Sequence, residues 1–111
     1  MIRVIFRELV RDVQDYEWNE DGHIVSIVDF DIEENGLMNR GLSARILQPA
    51  DSPCETARLE ISRPTNYDGP LDFEAFREAA ASYYREACRE GMHKTWSRMA
   101  EFELHPLFRL S

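Results

Sequence analysis

Apolar residues Ile2, Ile5, Phe6, Leu9, Val10, Val13 and Tyr16 recur at three- and four-residue steps, with Arg3, Arg7, Arg11, Asp12 and Asp15 filling the opposite side. That period is helical and predicts an amphipathic helix over about residues 2–17. The β-branched and aromatic run Ile2 to Phe6 also fits a short strand. Turn formers from Glu17 to Gly22 end the pattern. From His23 to Ile32 the sequence HIVSIVDFDI reads as a strand, and Asn35-Gly36 supplies two residues that tolerate positive φ in a tight hairpin turn. A two-residue loop there pairs Asp31 with Arg40, Phe30 with Gly41, Ile27 with Ala44, Val25 with Ile46 and Ile24 with Leu47. One face then carries Val25, Ile27, Leu42, Ala44 and Ile46, the other Ile24, Val28, Phe30, Ile32 and Leu47. Both faces need covering in that register.

Pro49 to Pro53 forms a turn, after which Glu55, Ala57, Leu59 and Ile61 alternate with Thr56, Arg58, Glu60 and Ser62 as a third strand with one wet face. The stretch from Arg63 to Pro70 is a loop. A helix follows over Leu71 to Glu90, with the stripe Phe73, Phe76, Ala80, Tyr83, Tyr84, Ala87 and Cys88 and with Gly91 suited to the left-handed cap. Lys94 to Leu104 fits a shorter helix or a final strand, and His105-Pro106 ends it. The expected architecture is one α+β domain over residues 1–111, a three-stranded antiparallel sheet with an N-terminal helix, a long helix 71–90 and a short C-terminal element, in the order α-β-β-β-α.

Composition narrows the partners. The chain holds 21 acidic and 13 basic side chains, a formal net charge of −8, and no segment of it is basic. Nucleic-acid affinity comes largely from Lys and Arg displacing counterions, so nucleic acid is excluded as a partner, and an anionic membrane surface with it. No apolar run approaches the length of a membrane-crossing helix, and Arg3, Arg7 and Glu8 interrupt the N-terminal apolar stretch where a signal peptide would need none. Cys54 and Cys88 lie far apart with no CxxC or Cys/His spacing and read as reduced structural thiols, which implies a cytoplasmic protein.

Three carboxylates, Asp29, Asp31 and Glu33, fall at strand period two and share a face, with Glu34 beside them and His23 at the far end of the row. Three oxygens on one face can hold Mg2+ or Mn2+, the arrangement of a small metal-dependent hydrolase. The plainer reading is a solvated hairpin tip paired to Arg40. The string DFDIEENGLMNR departs from a calcium loop where Glu34 and Arg40 stand in place of its glycine and its bidentate glutamate. His23, His93 and His105 with Cys54 and Cys88 match no zinc spacing, and Cys88 sits on the apolar stripe of its helix, where a thiol packs rather than attacks. Tyr83 and Tyr84 fall on the same stripe and read as core. No GxSxG, Walker loop, GxGxxG or HExxH occurs.

The segment from Asp15 to Asp21 sets Tyr16 and Trp18 among carboxylates in a surface connection, and rings flanked by charge are common at interaction sites. The expected function is therefore binding of another protein with a basic surface through Tyr16, Glu17, Trp18, Glu20 and Asp21, without catalysis and without a cofactor. Size, acidity and element order resemble those of small bacterial domains such as class I type III secretion chaperones and toxin-neutralising immunity proteins, a resemblance that implies an adaptor-like role. The two-sided apolar hairpin adds a symmetric homodimer as a further expectation.

Overall fold

The structure, a computed structural model, describes residues 2–11, 13, 22–54, 56–64, 67, 69, 71–91 and 94–104. Among them are strands β1 (Ile2–Val10), β2 (His23–Glu34), β3 (Leu37–Pro49) and β4 (Glu60–Ile61), helix α1 (Phe73–Arg89), then β5 (Thr95–Trp96) and β6 (Ala100–Leu104). All strand pairs are antiparallel, in the order β4-β3-β2-β1-β5, with β6 sharing the outer edge of β1. This is a mainly-β fold with one helix, so the expected α+β arrangement of a three-stranded sheet and an N-terminal helix does not hold. Of the three features behind the adaptor resemblance, size, acidity and element order, the chain lacks the order α-β-β-β-α.

The N-terminal segment is a strand for a reason that also explains its helical look. Ile2, Val4 and Phe6 point to the core at period two, and Leu9 rejoins them only because the register shifts between Phe6 and Glu8. An inserted bulge residue, Arg7, stretches one spacing from two to three and mimics a helical repeat.

A second bulge corrects the hairpin. Asn35 and Gly36 have φ of 52° and 82°, as the tight turn requires, and Glu33 faces Met38 as the two-residue loop dictates. Between Ile32↔Asn39 and Phe30↔Leu42 the register then slips by one, so that Asp31 opposes both Arg40 and Gly41. Gly41 has φ 71°, a conformation that side chains with a Cβ resist. Beyond the slip, Val28 faces Ala44 and Ser26 faces Ile46. The slip puts Val28, Phe30, Ile32, Leu42, Ala44 and Ile46 on one face, where they form a single core. The opposite face carries Val25 and Leu47, which face each other across β2 and β3 and are buried as well. The exposed large apolar residues among those described are Leu37 and Met38, adjacent at the start of β3, and Met99, between β5 and β6.

Helix α1 covers that core face. The Asp72 side chain caps it by accepting from the Ala75 N–H, and the helix buries Phe76, Ala79, Ala80, Tyr83, Tyr84 and Ala87. Phe6 sits at the centre of the aromatic packing, 5.0 Å from Tyr83, 5.8 Å from Phe30 and 5.5 Å from Phe102 between ring centres. Ala57, Leu59 and Ile61 are buried as their alternation predicts, although only Glu60–Ile61 pair as strand. The extended alternative for the C-terminal element is the one realised, as β5 and β6.

Cys54 and Cys88 form a disulfide with Cα atoms 6.3 Å apart, against the expectation of reduced thiols. Sequence spacing hid the pairing because the chain, over a sequence separation of 34, returns the helix against the turn that follows β3. No helix among the described residues is long and apolar enough to cross a membrane.

Candidate functional site

The two bulges flank the same stretch of β2. They open a groove of about 690 Å³ lined by Arg7 and Glu8 of β1, Asp29, Phe30 and Asp31 of β2, and Arg40 and Gly41 of β3. Bulges re-aim side chains and interrupt pairing, and here each contributes a wall. Asp31 holds both in place. Its carboxylate is buried, accepting from Arg7 Nη1 at 3.0 Å and from the Gly41 N–H at 3.2 Å. The expected Asp31–Arg40 pair is thus replaced by Asp31–Arg7, because the slip hands Asp31 a backbone donor and leaves Arg40 on the rim.

Three acidic groups on this face are paired with arginine. Arg3 bridges Glu33 at 2.8 Å and Glu101 at 3.7 Å, and Arg7 serves Asp31. Asp29 and Glu8 are cross-strand partners of like charge. Burial first, and the Glu8 carboxylate second, hold the Asp29 carboxyl above its ordinary value of 3.8. Glu8 accepts a hydrogen bond from the Ser97 hydroxyl at 3.1 Å, and Asp29 has no side-chain partner among the described residues. Arg40 is exposed and likewise makes no ion pair among them. Among the described residues the groove therefore offers one carboxylate pair without a cation and one guanidinium without an anion.

Of the expected metal-binding trio, Asp29 and Asp31 line the groove, whereas Glu33 lies one step beyond it against Arg3. No group of three or more His, Cys, Asp or Glu placed to hold a metal ion occurs among the described residues. The disulfide removes Cys54 and Cys88 as zinc ligands, and His93 and His105 lie outside the described residues. So do Tyr16, Glu17, Trp18, Glu20 and Asp21, the expected partner-binding residues.

A second polar cluster, at the other end of the sheet, is satisfied internally. Tyr84 donates to Gln48 Oε1 at 2.6 Å, Arg11 donates to both, and the Gln48 amide nitrogen donates to the Ser52 carbonyl at 2.9 Å. That network ties the ends of β1 and β3 to the helix. Tyr83 donates to the Arg98 carbonyl at 2.7 Å, and burial pushes its hydroxyl up to about 12, which keeps it a protonated core residue.

Sequence reading missed Arg7, Glu8, Arg40 and Gly41 as groove residues. The available signals were a glycine inside a strand pattern and an arginine breaking an apolar alternation, both marks of bulges. Comparison with known proteins finds no family model, no curated protein and no solved structure that matches the chain.

Proposed function

We propose that the protein is a binding domain for another protein, without catalysis of its own, and that its partner presents a basic surface. The observation that supports this reading is the groove over β1, β2 and β3, whose Glu8–Asp29 pair meets no cation among the described residues while its neighbours Asp31 and Glu33 do. Like charges held together in a partly desolvated place favour an incoming cation. Residues 12–21, the connection from β1 to β2, add five acidic and no basic side chains around Tyr16 and Trp18, which supplies steering charge and ring area for the same partner. The metal-dependent hydrolase finds less support, since Arg7 and Arg3 occupy two of its three carboxylates. The disulfide supports an oxidising compartment rather than the expected cytoplasm as the place of binding.

Affinity capture from a lysate of the native host tests the reading, with a chain carrying Tyr16→Ala, Trp18→Ala and Glu20→Lys as control. A basic protein retained by the native chain at physiological salt and lost by the variant is the expected result. Retention that ignores the variant, or a partner with an acidic surface, contradicts it.

A further inference from the structure

The groove has a shape and charge order that specify more than a basic surface, and resting on the binding-domain reading we propose that it receives an extended segment of the partner with Lys or Arg at one position and Asp or Glu two residues away.

The cation would sit against Glu8 and Asp29, the carboxylate against Arg40. Three observations lead there. First, the groove holds both signs of charge that meet no counterion among the described residues, an acidic pair on β1 and β2 and a guanidinium on β3, whereas Arg7 and Asp31 between them neutralise each other. A ligand bearing only a cation leaves Arg40 without a counterion, and one bearing only an anion leaves Asp29 and Glu8 repelling. Second, the spacing is that of a strand. Asp29 lies two residues from Asp31 along β2, and Arg40 lies opposite Asp31 on β3. Two residues of strand and one interstrand step separate the two charge sites by roughly 8 Å, and an extended chain sets side chains i and i+2 on one face roughly 7 Å apart. Third, the groove is an existing cavity whose floor is already fixed by the Asp31 contacts, so binding requires little reordering of the protein.

An N-acetylated, amidated peptide of sequence Ala-Lys-Ala-Glu-Ala, titrated into the 15N-labelled full chain, tests this, with the Gln-for-Lys and Gln-for-Glu peptides as controls. The expected result is saturable movement of the Glu8, Asp29, Arg40 and Gly41 amides with a millimolar dissociation constant, weakened about fivefold by Asp29→Asn, by Arg40→Gln and by either control peptide. Asp29→Asn relieves repulsion and should stay folded, so its loss of binding cannot be assigned to unfolding. No movement at about 10 mM peptide, or movement that the variants leave unchanged, overturns the groove assignment. Partner capture that persists in Asp29→Asn overturns it too, while leaving the binding-domain reading standing.

Discussion

Two aspartates one strand step apart do opposite things. Asp31 is compensated on both oxygens and pins a bulge on each side, so Asp31→Ala should remove about 1–3 kcal/mol of stability, read as a lower urea midpoint. Asp29 sits beside Glu8 with its carboxyl held above the ordinary 3.8. The folded chain therefore binds that proton more tightly than the unfolded chain, and the stability this contributes is full below pH 3.8 and lost as pH climbs through the folded value. Asp29→Asn should consequently stabilise the protein at pH 7 and gain little at pH 3, by less than about 1 kcal/mol because the group keeps contact with water. Equal midpoints for native chain and variant at pH 7 would exclude the repulsion between Asp29 and Glu8. A residue whose neutralisation stabilises the fold while weakening ligand capture marks a site kept for function rather than for packing.

At the level of strands and helices, what could be read from the sequence was whatever a constant period reveals. The α1 stripe, its end at Gly91 and the Asn35-Gly36 turn follow from local pattern and are present. Bulges defeat such reading because they add one residue to an otherwise regular repeat. Arg7 converts a strand pattern into helical spacing, and the extra residue at Arg40–Gly41 moves every later pair of the hairpin by one. For the same reason Asp29 and Asp31 could be placed on a common face with Arg40 opposite, while Glu8, which reaches the groove from a strand read as a helix, could not. Gly41→Val tests the slip directly. No atom crowds a Cβ at Gly41, so the penalty comes from φ 71° alone, about 1–3 kcal/mol, and Gly41→Asn should recover most of it since asparagine tolerates that region. Equal midpoints for Gly41→Val and the native chain would show that the bulge is not where it is drawn.

On the scale of the whole molecule, the disulfide closes a long loop between the turn after β3 and the C-terminal half of α1, with a sequence separation of 34. Replacing both cysteines by serine should lower stability by about 3–4 kcal/mol on the chain-entropy account, and thiol titration of the unfolded, unreduced protein should find no free sulfhydryl. Two free sulfhydryls would reinstate reduced cysteines and a cytoplasmic setting. The strand order has a consequence of another kind. β1 is made first yet lies inside the sheet, with β2 on one edge and β5 and β6 on the other. During synthesis its second edge has no neighbour until residues 95–104 have left the ribosome, a wait of roughly 5–20 s at ordinary elongation rates. The nascent chain thus carries an apolar strand, Ile2 to Val10, half-paired for most of its production, and chaperone attendance on that one edge is what vectorial folding of this topology demands.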